Sequence, residues 1–135
     1  MLRLLVALTF ILSSVSVLAD YSPKKVNNLI SKTNRAIAKQ SKIDRKLKLL
    51  AQLKNDINNL SSPSKGKKYK NLAKLQEAYS ALDLDLLAKG QCEIIRADLQ
   101  FRFNPTGFQK GKIAPQVVQA LRTLKTFCPK LKIYQ

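Results

Sequence analysis

The sequence contains no histidine and no tryptophan, and it has only two cysteines and four glycines. Without histidine there is no Ser-His or Cys-His nucleophile pair and no metal site built on imidazole. No glycine-rich loop of the kind that cradles a phosphate group is present. Asp83 and Asp85 are two residues apart, so on a helix they point to nearly opposite sides and cannot share a metal ion. We therefore predict that the protein is not an enzyme and uses no metal or cofactor.

Acidic residues are also scarce, because 8 aspartates and glutamates stand against 25 lysines and arginines, for a net charge of +17. The acids concentrate between residues 77 and 98, whereas residues 24 to 54, 65 to 74 and 102 to 132 are strongly basic. Repulsion among these positive charges opposes compaction, and the same charges attract polyanions to the protein surface. The pattern predicts a bipolar protein, in which part of the positive charge is neutralised within the fold.

The first residues have the pattern of a secretory signal peptide. A short basic start precedes an apolar run over residues 4 to 17, and Val17-Leu18-Ala19 offers small residues for cleavage. The apolar run is shorter than the roughly twenty residues that cross a bilayer. We predict removal of residues 1–19 by cleavage near Ala19, a single domain over residues 20–135, and a periplasmic or secreted location. An uncleaved N-terminal anchor is the alternative.

The two cysteines of an exported chain are most simply explained by one disulfide, between Cys92 and Cys128. Residues 114 to 128 carry apolar side chains at helical spacing, start with Pro115 at a favourable first position and end before Pro129, which predicts a helix. The turn at residues 104 to 107, with the sequence Asn-Pro-Thr-Gly, has the composition of a type I β-turn.

Residues 92 to 103 fit two periods. Apolar residues alternate as in a strand from Ile95 to Phe103, yet Cys92, Ile95, Leu99 and Phe103 also lie at helical spacing. A helix over this segment is about 17 Å long, which allows an antiparallel hairpin to bring Cys92 beside Cys128. A strand is about 36 Å long and overshoots that position. We therefore predict a helix.

The N-terminal half carries a seven-residue apolar repeat of the coiled-coil type. The clearest series is Leu29, Ala36, Ile43, Leu50 and Ile57. One long helix over residues 24–60 is the preferred interpretation, and a break near Gln40 with a cap at Ser41 and Asp44 is the alternative. A polar turn over residues 60 to 66 then reverses the chain into a second helix over about 67–103. This hairpin places Lys42 and Lys46 opposite the acids at residues 83 and 85.

These elements predict an all-α fold, a small antiparallel helical bundle in which a third helix is tethered by the disulfide. Lysine and arginine clusters at its turns are the candidate anion-binding residues. They are Lys65, Lys67, Lys68 and Lys70 at the start of the second helix, and Arg102, Lys110 and Lys112 in the loop that contains Phe108. Phe108 is a candidate exposed aromatic residue beside these cations, suited to nucleic-acid stacking or headgroup insertion. The alternative, which is the more common role of such phenylalanines, is that it caps the core. Lys25, Lys32, Lys39 and Lys46 form a stripe that could follow a linear polyanion, but a solvated helix flank is the preferred interpretation.

The functional hypothesis is an exported, non-enzymatic, strongly basic helical protein that binds an anionic envelope polymer, acidic lipid or nucleic acid through these clusters. The alternative is a module that binds a protein partner, as an inhibitor, chaperone or immunity-type protein does. Such a module docks through the helical bundle or the Phe108 loop.

Intact mass spectrometry of the exported protein tests the compartment and the covalent state. We expect an N-terminus near Asp20 and a mass that increases by two hydrogen atoms on reduction, because Cys92 and Cys128 are paired in an oxidising compartment. Two free thiols in protein isolated from its native compartment contradict the disulfide, and a mass that includes residues 1–19 contradicts cleavage.

Overall fold

The computed structural model describes residues 20–62 and 70–134, except for the side chain of Lys70. These residues form six α-helices and no strand, apart from an isolated bridge between Asp20 and Ser61. The helices are α1 Pro23–Lys39, α2 Ile43–Asn58, α3 Lys70–Ser80, α4 Leu84–Ala88, α5 Cys92–Phe103 and α6 Pro115–Phe127. The predicted all-α class is confirmed. The predicted signal segment, and residues 63–66 of the turn predicted over residues 60 to 66, lie outside the described residues.

The helices pack as a bundle around α6. Helix α6 contacts α1, α3 and α5, while α2 contacts α1, α3 and α4. The shared core consists of aliphatic side chains from every helix together with two aromatic rings. Its largest fully buried members are Tyr79, Phe108, Ile30, Ile37, Leu50, Leu53, Ile57, Leu75, Leu82, Ile95, Leu99 and Leu121.

The preferred single helix over residues 24–60 is wrong, and the break near Gln40, predicted from the sequence as the alternative, is confirmed. Gln40 and Lys42 adopt extended backbone angles that end α1 and precede α2. The reversal lets both helices bury their apolar faces against each other, which one straight helix cannot do. The predicted cap at Ser41 is not formed, because Lys42 is the N-cap residue and makes no side-chain capping bond.

This reversal also changes the predicted ion pairs. Because α2 runs back along α1, Lys54 rather than Lys42 or Lys46 lies beside the acidic segment. The ammonium group of Lys54 donates a hydrogen bond of 2.8 Å to the carbonyl oxygen of Leu82. Burial lowers the pKa of Lys54, and the nearby carboxylate of Asp83 raises it in partial opposition. The pairing of Lys42 and Lys46 with the acids at residues 83 and 85 is therefore wrong.

The predicted second helix is divided into α3, α4 and α5. Asp83 interrupts it, since its side-chain oxygen accepts hydrogen bonds from the backbone of Asp85 at 2.8 Å and Leu86 at 3.1 Å. These bonds make Asp83 the N-cap residue of α4. Gly90 then separates α4 from α5 with a φ of 71°, which glycine adopts without strain. The Asp83 and Asp85 pair thus has a structural role.

The helix predicted for residues 92 to 103 is confirmed as α5, and the third helix as α6. Cys92 and Cys128 form the predicted disulfide, with 6.4 Å between their Cα atoms. Between the two helices, the amide of Gly107 donates a 3.0 Å hydrogen bond to the carbonyl of Asn104, as the predicted turn requires. The disulfide therefore connects the first turn of α5 to the end of α6.

Two alanine substitutions on α5 separate the helical period from the strand period. Leu99 is fully buried and Phe101 is 77% exposed, although a strand places both on one face. We expect Leu99→Ala to lower the free energy of unfolding by about 2 to 5 kcal/mol because it leaves a cavity. Phe101→Ala is the control and should change it by less than about 0.5 kcal/mol. Urea denaturation followed by circular dichroism measures both, and equal losses contradict the helical packing.

Candidate anion-binding site

A cleft of about 380 Å³ lies between the start of α2 and the last turns of α6. Three cations line it, Lys46 from α2 with Arg122 and Lys125 from α6, and no acidic residue does. Ala38 of α1, Thr126 and Pro129 complete the lining. We call this the basic cleft. It brings together cations that lie far apart in the sequence.

The packing of α6 explains why these cations converge. Leu121 and Leu124 are fully buried, so the intervening Arg122 and the following Lys125 are directed away from the core. These two cations are three residues apart, which places them on one side of the helix. Lys46 reaches the same place because the chain reverses directly before α2, and Ala38 is small enough to leave space between the helices.

The cations of the basic cleft are not neutralised by ion pairs. The ion pairs between described residues are Lys89–Asp85 at 3.0 Å, Arg96–Glu93 at 2.9 Å and Arg102–Asp98 at 2.9 Å. All three are local contacts on α4 and α5 or immediately after α4. Asp44, the nearest acid to Lys46 in sequence, is exposed and does not line the cleft. The positive potential of the cleft is therefore available to an external anion.

A second cleft, of about 430 Å³, adjoins the first at Pro129, which lines both. We call it the apolar cleft, because its lining is mostly carbon and sulfur from the disulfide, Pro129 and Leu131. Glu93 and Lys130 are its charged members. Glu93 already accepts a 2.9 Å hydrogen bond from Arg96. An apolar surface thus continues from the basic cleft without an unpaired acid between them.

The structure places the predicted anion-binding residues in three different situations. Lys65, Lys67 and Lys68 lie outside the described residues, and so does the side chain of Lys70, whose backbone begins α3. Lys110 and Lys112 are exposed in the loop before α6.

Arg102 is exposed, but it is partnered. Its guanidinium donates a 2.9 Å hydrogen bond to the carboxylate of Asp98. This bond raises the pKa of Arg102 above its ordinary value. The charge of Arg102 is therefore balanced by Asp98 on the same helix. Arg102 is a weaker candidate for anion binding than the cations of the basic cleft.

The candidate role of Phe108 as an exposed aromatic residue is wrong, and the core-capping alternative is confirmed. Its side chain is only 1% exposed and belongs to the hydrophobic core. Burial of a phenylalanine contributes about 1.5 to 3 kcal/mol relative to exposure, so the loop folds inward and anchors itself by this ring. Docking of a protein partner onto an exposed Phe108 side chain is therefore also excluded. The large exposed apolar side chains are instead Ile43, Ile94, Phe101 and Tyr134.

A buried polar network joins three helices and has a structural role. The hydroxyls of Tyr79 and Thr123 are 2.9 Å apart, and Thr123 donates to the side-chain oxygen of Asn34 at 2.8 Å. Because a threonine hydroxyl has one proton, Tyr79 is the donor in its bond to Thr123. Burial raises the pKa of Tyr79 above its ordinary value. The tyrosine therefore stays protonated.

Clusters of metal ligands and membrane-spanning helices are both absent from the part of the chain that the structure describes. Over residues 20–62 and 70–134, no three side chains of the histidine, cysteine, aspartate and glutamate types are grouped as a metal ion requires. In the same ranges, no helix has the length and apolar character needed to cross a membrane.

No protein-family model matches this chain, and no curated protein or solved structure is significantly similar to it. The basic cleft therefore has to be interpreted from its own geometry and charge.

The pH dependence of stability provides a test of the Tyr79 network. The free tyrosine side chain has a pKa of about 10, so above that pH the unfolded chain releases a proton that the folded chain keeps. The free energy of unfolding should then fall by up to about 1.4 kcal/mol per pH unit from this group. Tyr79→Phe removes the effect and costs about 1 kcal/mol at neutral pH. We expect the stability gap between the two proteins to narrow above pH 10, and parallel curves contradict the assignment.

Proposed function

We propose that this chain is an exported, non-enzymatic helical protein that binds an anionic partner through its lysine and arginine clusters. The observation that carries the proposal is the basic cleft, where Lys46, Arg122 and Lys125 surround one space without an acid in its lining. Cations of like charge repel one another, so their convergence costs stability unless an anion is bound.

The distribution of charge over the bundle supports the same function. The acids at residues 85, 93 and 98 are paired with cations on their own part of the chain. Of the other cations among the described residues, more than half lie on the helices α1, α2 and α6. A second basic cleft, of about 360 Å³, is lined by Arg45 and Lys48 together with Gln40, Leu49 and Gln52. An anionic surface or polymer therefore meets cations on more than one side of α2.

Export is supported by the pattern of the first 19 residues and by the disulfide. Disulfides persist in oxidising compartments such as the bacterial periplasm or the cell exterior. In such a compartment the anionic partners in reach include acidic lipids, envelope polymers and released nucleic acid.

Two matched triple variants test the proposal. Lys46→Gln, Arg122→Gln and Lys125→Gln remove the cations of the basic cleft, while Lys24→Gln, Lys25→Gln and Lys74→Gln remove the same charge from exposed positions outside it. Binding to duplex DNA is measured over a range of salt concentrations, and binding to vesicles of phosphatidylglycerol and phosphatidylcholine is measured at low salt. If all three cleft cations contact phosphates, the slope of log K against log salt falls by about 3 in the first variant.

The control variant should retain most of the affinity. A third variant, with Lys65, Lys67 and Lys68 changed to glutamine, tests three of the four cations in the turn cluster that the sequence predicts to bind anions. Equal losses in all three variants contradict a defined site and leave only diffuse attraction. Absence of binding to both DNA and anionic vesicles at low salt contradicts the proposed function.

Binding of a protein partner is the second candidate function, and one observation favours it. Ile94 and Phe101 are 52% and 77% exposed, and with Ala97 they follow one side of α5. Exposed aromatic and aliphatic residues grouped on a helix are typical of a docking face. Salt distinguishes the two functions, because affinity at an apolar interface hardly depends on ionic strength whereas polyanion binding weakens steeply.

A further inference from the structure

We propose that the basic cleft and the apolar cleft together bind a single anionic amphiphile, a molecule with a phosphate-type head group and an alkyl chain. The head group lies among Lys46, Arg122 and Lys125, and the chain passes Pro129 into the apolar cleft beside the disulfide. This inference rests on the proposed function and narrows the anionic partner to an acidic lipid.

The shared position of Pro129 is the observation that joins the two clefts. They are open surface grooves with volumes of about 380 Å³ and 430 Å³. One is lined by three cations and no acid, and the other mainly by apolar groups. A ligand that occupies both must therefore be anionic at one end and apolar at the other.

The lining of the apolar cleft argues against a polymer in the same site. A polyanion places a charge at every repeat and needs cations along its whole path. Beyond Pro129, however, the surface continues with the disulfide and Leu131, and its acid Glu93 is paired with Arg96. Lys130 is the single cation there. An alkyl chain gains from burial on such a surface, while a chain of phosphates loses hydration without compensation.

The disulfide and a hydrogen-bonded turn fix the position of the wall that the two clefts share. The disulfide connects Cys92 in the first turn of α5 to Cys128 at the end of α6. The amide of Leu131 donates a 3.0 Å hydrogen bond to the carbonyl of Cys128, which closes a turn around Pro129. Leu131 itself is almost fully buried and packs in the core. The wall shared by the clefts is therefore anchored on both sides.

A series of soluble phosphates tests the inference with the intact disulfide-bonded protein. Inorganic phosphate, butyl phosphate and octyl phosphate share a head group and differ in chain length, and all are used below their micelle-forming concentrations. Each fully buried methylene strengthens binding by roughly fourfold. Even partial burial of the four additional methylenes should make octyl phosphate bind about tenfold more tightly than butyl phosphate. Octanol, which has the chain without the charge, should bind far more weakly than octyl phosphate.

Amide chemical shifts in two-dimensional NMR spectra locate the ligand without any substitution. Inorganic phosphate should shift the amides of Arg122, Lys125 and Thr126, and octyl phosphate should shift these and the amide of Leu131. The Lys46→Gln, Arg122→Gln and Lys125→Gln variant should lose at least tenfold in affinity for octyl phosphate, while the Lys24→Gln, Lys25→Gln and Lys74→Gln control keeps it. Circular dichroism verifies that both variants are folded.

The outcomes separate this inference from the function on which it rests. If DNA, vesicles and inorganic phosphate bind through the basic cleft but octyl phosphate binds no more tightly than butyl phosphate, the amphiphile is wrong and anion binding stands. Octanol binding equal to octyl phosphate overturns the role of the cations. Shifts confined to α5, at Ile94 and Phe101, overturn the location. Failure of every phosphate, DNA and anionic vesicle to bind overturns both proposals.

Discussion

Helix α6 packs against three other helices, and this packing determines which of its side chains remain at the protein surface. Val117, Ala120, Leu121, Thr123 and Leu124 are buried against α1, α3 and α5. Thr123 is tolerated among them because Tyr79 and Asn34 satisfy its hydroxyl. The narrow remaining side of the helix presents Arg122 and Lys125 beside the start of α2. The basic cleft is therefore a product of core packing, since the same contacts that bury one side of α6 leave its cations together on the other.

The bundle has to form against considerable self-repulsion. A net charge of +17 on a chain of 135 residues favours expanded states, and local ion pairs on exposed helices contribute only about 0 to 1 kcal/mol each. Two features oppose this repulsion. The aliphatic core spans all six helices of the described residues, and the disulfide connects positions 36 residues apart. Such a bond contributes roughly 3 to 4 kcal/mol in the chain-entropy model.

The features that the sequence predicted correctly have local signals. Pro115 and Pro129 mark the two ends of α6, and the Asn-Pro-Thr-Gly turn is set by its own composition. The helix at residues 92 to 103 followed from the distance that two cysteines must satisfy, which excluded a strand. In each case the decisive constraint is either a motif of a few residues or the geometry of one disulfide bond.

The features that were missed depend on tertiary contacts. Residues 40 to 42 contain no glycine or proline, so the break between α1 and α2 was predicted only as the alternative, from the capping residues Ser41 and Asp44. Because one long helix was preferred, Lys46 was assigned to the wrong surroundings and was not connected with Arg122 and Lys125. For Phe108, both an exposed and a core-capping position were considered, because only the tertiary fold shows that this loop packs over the core.

The start of α2 has a consequence for the energetics of the whole chain. Lys42, Arg45 and Lys46 surround a helix N-terminus where the backbone dipole is positive, and Asp44 is the only acid in that turn. The free protein therefore carries a local electrostatic strain next to the basic cleft. On the proposed function, an anion bound there relieves this strain in the folded state only, because the unfolded chain has no such cleft. Occupancy and folding are then thermodynamically linked, so the melting temperature should rise with the concentration of added anion.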